Sequence, residues 1–248
     1  MPSALFGKAV DSVGFSIGLS VRGWPRTRIA KAEMNVDTND HWVARRTGIV
    51  PSAPPAARFG KRTVLDEASR PTAPEPGPEV SFTATGILVG RHLVEVHEHY
   101  RAELRQLREL LERVTQGVIT AGQARGDLNA FALRANNWAL GGVCQRQCVA
   151  LVDHHTVEDG SIFPHLLSRQ RSLRDVLDRL DAEHHGIGEV LEEIDAALVH
   201  LARNPAEIGP ITEAVELLTD TLLSHFAYEE RELIAPLARH GFYPGQVR

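Results

Sequence analysis

The sequence predicts an all-α protein, an up-down-up-down four-helix bundle preceded by a long proline-rich segment. Two stretches carry apolar residues at every third or fourth position, which is typical of amphipathic helices. A His-x-x-x-Glu motif occurs twice, once after each of these stretches. Short connections between the predicted helices favour antiparallel neighbours. The repeated order of striped helix and motif-bearing helix therefore indicates four helices in two halves.

The proline-rich segment comes first. The first eighty residues hold 9 of the 14 prolines, and no helical or strand period persists in them. Residues 71–80 have the composition of a linker. We predict a disordered or poorly ordered tail and linker over residues 1–82 and the helical bundle over residues 83–245.

Helices one and three are the striped helices, predicted over about residues 85–116 and 172–204. His97 in helix one and His184 in helix three are each followed by apolar residues at offsets 3, 7, 10 and 14. Each histidine therefore occupies the first position of a stripe that otherwise holds core residues. The apolar residues are Tyr100, Leu104, Leu107 and Leu111 in helix one and Ile187, Leu191, Ile194 and Leu198 in helix three.

Helices two and four carry the motif and are predicted over about residues 137–167 and 210–240. Residues i and i+4 share one face of a helix, so each motif projects an imidazole and a carboxylate in the same direction. The pairs are His154 with Glu158 and His225 with Glu229.

Helix two has two further features. Gly160 and Pro164 are expected to kink or break its end, because proline removes the bond to the Gly160 carbonyl. Cys144 and Cys148 lie one turn apart, and we interpret them as small buried apolar residues rather than ligands.

Six side chains from the four helices are expected to converge on a metal site. Mixed imidazole and carboxylate ligands on facing helices are typical of such sites, and burying these groups without partners would cost several kcal/mol. The predicted metal ligands are His97, His154, Glu158, His184, His225 and Glu229. Four neighbouring residues could replace one or other of these ligands, namely His99, His155, His185 and Glu230.

These motifs resemble the hemerythrin family, known in its bacterial form as the HHE cation-binding domain, over about residues 85–243. The resemblance implies a hemerythrin-like bundle with a non-haem di-iron centre, and so two iron ions, with Mn or Zn less favoured. Glu158 and Glu229 lie in the middle of the ligand set and are predicted to bridge the two metals. The motifs that carry the resemblance are His154–Glu158 with Phe163-Pro164, Glu183-His184, and His225–Glu229 with Pro236.

One departure from the family bears on activity. Oxygen-carrying hemerythrins have His-x-x-x-His on the third helix, whereas here Gly188 stands four residues after His184. The site is therefore more similar to the carboxylate-richer branch of the family. The resemblance implies a protein that binds or reacts with a small oxidant such as O₂, NO or peroxide. Two alternatives stay open: an iron-binding or iron- and oxygen-sensing module without catalysis, and a zinc-loaded structural bundle. An enzymatic consumption of peroxide and the oligomeric state are also left open.

Composition bears on compartment and partners. Two cysteines in 248 residues exclude a disulfide framework. No run reaches the ~18 apolar residues that a membrane helix needs. Lys8 and Asp11 interrupt the first apolar stretch, unlike a signal peptide. We therefore expect a cytoplasmic protein with no membrane and no nucleic-acid partner.

Overall fold

The computed structural model describes residues 41–116, 151–204 and 206–242, which form helices and connecting segments without a β-strand. The all-α prediction is confirmed. The two cysteines and the first part of the predicted helix two lie outside these ranges. No described helix is long and apolar enough to cross a membrane. The helices are α1 (Trp42–Thr47), α2 (Ala84–Thr115), α3 (residues 151–169), α4 (Arg174–Arg203) and α5 (Gly209–His240).

The longest helices, α2 and α5, have residues at their ends that favour helix termini. The Thr83 hydroxyl accepts a hydrogen bond from the Gly86 amide at 3.0 Å and so caps α2. Helix α5 has Pro210 in its first turn and is followed by Gly241, which adopts a positive φ of 64°. Each helix has 32 residues and so spans about 48 Å, which allows a site near its middle to be covered at both ends.

Helix α3 contains a wider turn where the sequence predicts a kink or break. Residues 151–157 are α-helical, Glu158–Ile162 form a π-helical turn, and the α-helix resumes over Phe163–Arg169. Pro164 cannot donate a backbone hydrogen bond into the preceding turn, so the chain widens there instead of ending. The wide turn begins at Glu158, one of the predicted metal ligands.

Helices α2 and α5 run antiparallel at close range. Gly86, near the start of α2, lies against the carbonyl of Ala238, near the end of α5. A methyl group at Gly86 would overlap that carbonyl oxygen, and a Cβ at Gly90 would lie 2.9 Å from the Ile234 carbonyl oxygen. The close approach of the two backbones therefore requires glycine at both positions.

Replacing Gly86 with alanine is expected to destabilise the protein by about 1–3 kcal/mol, the usual cost of overpacking a close helix contact. The matched control is Gly188→Ala in α4, where a Cβ would meet nothing within 4 Å among the described atoms. That variant should be stabilised by up to about 1 kcal/mol, because alanine is the better helix former. Urea unfolding of both variants measures the difference. Equal stabilities would show that the helices separate without cost.

A polar layer divides the bundle core into two apolar clusters. One cluster contains Leu104, Leu151, Ile194 and Phe226, and the other contains Leu93, Phe163, Leu180 and Leu233. Along each of the four bundle helices, the predicted metal ligands fall between residues of the first cluster and residues of the second. The buried imidazoles and carboxylates therefore lie at one level along the bundle, between the two apolar clusters.

The structure differs from the sequence expectation over residues 41–82, which the sequence assigns to a poorly ordered segment. These residues, called the strap below, lie against the bundle. Val43 of α1 is fully buried in a small apolar cluster with Ile234 and Ala235 of α5. Further along the strap, hydrogen bonds reach acidic side chains on α4 and α5, and such contacts give no apolar period in the sequence. Residues 1–40 of the expected tail lie outside the described ranges.

Candidate metal centre

Side chains from all four bundle helices meet in the polar layer and fall into two groups. Within each group the potential ligand atoms all lie within 4.8 Å of one another. One group has two imidazoles and two carboxylates, and the other has three imidazoles. The first group is His97, His154, Glu158 and Glu229, and the second is His155, His184 and His225.

Two carboxylates lie between the groups. The Oε1 atom of Glu158 is 3.3 Å from Nε2 of His154, while its Oε2 atom is 3.7 Å from Nε2 of His184. The Oε2 atom of Glu229 is 3.2 Å from Nε2 of His97 and 3.7 Å from Nε2 of His225. Each carboxylate therefore faces a histidine of both groups.

Six of the seven residues of this layer are buried and His154 is 13% exposed, yet their inward atoms have no hydrogen-bond partners among the described residues. Nine buried atoms are in this position: Nε2 of the five histidines and both carboxylate oxygens of Glu158 and Glu229. Leaving such groups unpaired costs roughly 1–3 kcal/mol each. Imidazole nitrogens and carboxylate oxygens are ligands for divalent and trivalent transition metals. The donor set therefore fits metal ions that would take up these lone pairs.

The opposite nitrogens of three histidines are each held by a second carboxylate. Nδ1 of His97 lies 2.9 Å from Glu230, Nδ1 of His225 lies 3.0 Å from Glu183, and Nδ1 of His184 lies 2.7 Å from Asp159. An ionised carboxylate only accepts hydrogen bonds, so in each case Nδ1 carries the hydrogen and donates it. The lone pair then lies on Nε2, which points into the layer, an arrangement typical of histidines that bind metals.

The π-helical turn explains how two consecutive acids contact one ring. Glu158 faces Nε2 of His184 with Oε2, and Asp159 accepts the hydrogen bond from Nδ1 of the same ring. Successive residues of a regular α-helix point about 100° apart, and the wide turn at Glu158 coincides with this placement. Such turns recur at functional sites.

Burial keeps most of these imidazoles neutral. It lowers the pKa of His154 to about 3 and also lowers the pKa values of His155 and His225. His97 is the exception, because Glu229 and Glu230 outweigh its burial and raise its pKa. Neutral imidazoles are the form that binds metals, so no proton has to leave His154, His155 or His225 at neutral pH.

The pKa values of the two shared carboxylates are shifted in opposite directions. Burial first, and then the charge of Glu229, raise the pKa of Glu158 well above its ordinary value. The pKa of Glu229 is instead held low, because His97 outweighs the effect of burial. Two neighbouring buried carboxylates cannot both ionise without a compensating positive charge, and a bound cation would supply it.

The structure brings all six sequence-predicted residues into this layer and adds His155 as a seventh. The His155 ring stacks on the His184 ring with centroids 3.9 Å apart. The side chains of His99 and His185 are 70% and 77% exposed, so these two histidines lie outside the layer. Glu230 is fully buried but binds the outer nitrogen of His97.

Aromatic rings pack around the imidazoles. Phe226 stacks on His97 at 4.2 Å and the Tyr100 ring lies 5.5 Å from that of His154. Burial raises the pKa of Tyr100 to about 12, so its hydroxyl stays protonated. Tyr228 donates a hydrogen bond to the carbonyl of Pro71 in the strap at 2.9 Å. The apolar walls lower the local dielectric and so strengthen charge interactions within the layer.

Comparison with known protein families matches residues 89–237 to the family described as Hemerythrin HHE cation binding domain. The matched region covers more than half of the chain and contains all seven residues of the layer. No curated protein and no solved structure gave a match. The resemblance predicted from the motifs is confirmed.

Proposed function

The chain belongs to the hemerythrin HHE cation-binding family, and from this premise we propose that it holds a non-haem di-iron centre that binds or reacts with a small oxidant such as O₂, NO or peroxide. Family membership implies metal binding. The number of metals, their identity and the oxidant are the proposal.

The observation that carries the proposal is the division of the ligand atoms into two groups that share two carboxylates. In this assignment the first ion would be held by His97 and His154, and the second by His155, His184 and His225. Glu158 and Glu229 would contribute to both. Support comes from the positions of their oxygens, each carboxylate lying within 3.7 Å of a histidine nitrogen of either group.

The set is too small to saturate two ions. Counted over the described part of the chain, the layer offers nine inward nitrogen and oxygen atoms, whereas two six-coordinate ions need about twelve. Sites with open positions serve reaction or exchange, while purely structural zinc sites are closed by four protein ligands. Iron held here would supply the redox chemistry by which a small oxidant is bound or reduced. The surrounding residues would hold the imidazoles neutral and exclude bulk water.

His155 could replace the histidine that oxygen-carrying hemerythrins have at the position of Gly188. Gly188 offers no side chain to the metal held by His184, but His155 stacks on His184 and directs Nε2 into the same group. We infer that His155 supplies an imidazole to this position. The remaining space on the Gly188 side is open among the described residues and suits a small exogenous ligand.

Protein purified aerobically from iron-replete cells is expected to contain about two iron atoms per chain. Elemental analysis gives the content, and the absorption spectrum gives the metal type, because ferric iron in a bridged pair absorbs in the near-ultraviolet and zinc is silent. Reduction followed by mixing with O₂, NO or peroxide then shows which oxidant changes that spectrum. One zinc per chain without iron would contradict the proposal.

A further inference from the structure

The strap lies outside the part of the chain that matches the family, yet it touches both groups of ligands through a single intermediate each. Glu183, which holds Nδ1 of His225, is paired with Arg70 of the strap. Glu230, which holds Nδ1 of His97, accepts a hydrogen bond from the Ser52 amide of the strap at 2.8 Å. His225 belongs to one group and His97 to the other. The strap is therefore connected to one histidine of each proposed metal position through one intervening glutamate.

Arg70 is held by several contacts at once. Its Nε and Nη2 atoms donate to the two oxygens of Glu183 at 2.7 and 2.9 Å, and Nη1 donates to the Ser224 hydroxyl at 2.9 Å. The guanidinium also lies 4.7 Å from the centre of the Tyr228 ring. The side chains of Arg70 and Glu183 are only 9% and 2% exposed. A bidentate pair of this kind fixes the plane of the carboxylate, and the carboxylate then fixes the ring that it holds.

The Ser52 contact completes a buried carboxylate on α5. Glu230 is fully buried and accepts three hydrogen bonds, from Ser52, from Arg101 at 2.7 Å and from His97 at 2.9 Å. The Ser52 amide occupies Oε2 alone, while the other two donors share Oε1. Without the strap, Oε2 would lose its protein donor and the carboxylate would be free to rotate.

We propose that the strap is part of the metal centre, and that Arg70 and the Ser52 amide are positioning groups that orient His225 and His97 through Glu183 and Glu230. The inference rests on the proposed metal function. It assigns a role to residues 41–82 that belongs to neither a linker nor a tail. The strap's other hydrogen bonds to acidic side chains of α4 and α5 only attach it to the bundle, because those acids hold no imidazole. These are the amides of Phe59 and Gly60 on Asp220, the amide of Ala73 on Glu232, and Arg62 on Glu193.

The test is Co²⁺ titration of metal-free full-length protein, followed by visible absorption, with Arg70→Gln compared against Arg62→Gln. Arg62 is also in the strap and also pairs with a glutamate of α4, but that pair is exposed and, unlike Glu183, Glu193 holds no ligand histidine among the described hydrogen bonds. Arg70→Gln should weaken one of two binding steps by roughly 10–100-fold, the usual effect of losing a ligand's outer partner. Arg62→Gln should bind like the unmodified protein.

A role in folding alone would give a different result. It would lower the melting temperature of the metal-free Arg70 variant and leave both Co²⁺ affinities unchanged, and this outcome overturns the inference. Arg70→Lys keeps the charge but not the bidentate pair, so it should recover the melting temperature more fully than the affinity. Ser52→Pro removes the amide donor and should weaken the other step. If the unmodified protein binds no Co²⁺ and no iron, the proposed metal function itself fails.

Discussion

Replacing Glu158 with glutamine should empty both metal positions. The two oxygens of this side chain face His154 in one group and His184 in the other, so a single change removes a negative ligand from both ions. Outer partners of a metal site typically contribute roughly 10–100-fold in affinity, and loss of a shared carboxylate should exceed about 100-fold. Iron content measured after purification should fall from about two atoms per chain to a small fraction of one.

This variant should still fold, so a loss of iron would reflect the missing ligand and not unfolding. Burial raises the pKa of Glu158 well above its ordinary value, which favours the protonated side chain in the metal-free protein. Glutamine has the same size and the same charge as that form. Metal-free Glu158→Gln should therefore melt close to metal-free unmodified protein.

Two sets of control variants sharpen the result. Glu189→Gln changes an exposed glutamate on α4 and should leave iron loading unchanged. His225→Ala should lose metal, whereas His165→Ala and His240→Ala should not, because neither of the last two belongs to the ligand groups. Equal iron content in all of these proteins would refute the ligand assignment.

The spacing of the motifs predicts much of the centre, because a separation of four residues on a helix is a local property. His154 with Glu158, and His225 with Glu229, come together for that reason. His155 is harder to assign, since adjacent residues on a helix point in different directions. It reaches the layer because a second group of imidazoles lies beside the first, and that depends on how α3 packs against α4.

The strap could not be predicted in this way. The Ser52 amide contacts a residue 178 positions away and Arg70 contacts one 113 positions away. Such bonds leave no period in the sequence, and prolines in the same segment are typical of linkers. The acidic residues on α5 offer a partial signal. Asp220, Glu230 and Glu232 look like surface residues by type, yet they are at most 4% exposed, and buried acids need donors from elsewhere in the chain.

Removing the metal should lower stability strongly while leaving the helices formed. The nine inward atoms of the layer would again lack partners, but the two apolar clusters above and below it contain none of the ligands. The far-ultraviolet circular dichroism of chelator-treated protein at 25 °C should therefore resemble that of loaded protein. This differs from small zinc domains, which unfold without their ion.

The melting temperature should move by a large amount. An ion that binds only the folded state stabilises it by about 4 kcal/mol when its free concentration is a thousand times its dissociation constant. For a chain of this size each kcal/mol corresponds to roughly 2–4 °C, so each filled position should raise the melting temperature by roughly 8–16 °C. Calorimetry of stripped and reconstituted protein measures this shift. Glu158→Gln, which loses the ions but keeps the fold, should melt at the same temperature with and without added iron. If stripped and loaded protein had the same melting temperature, the layer would satisfy its buried polar groups without metal.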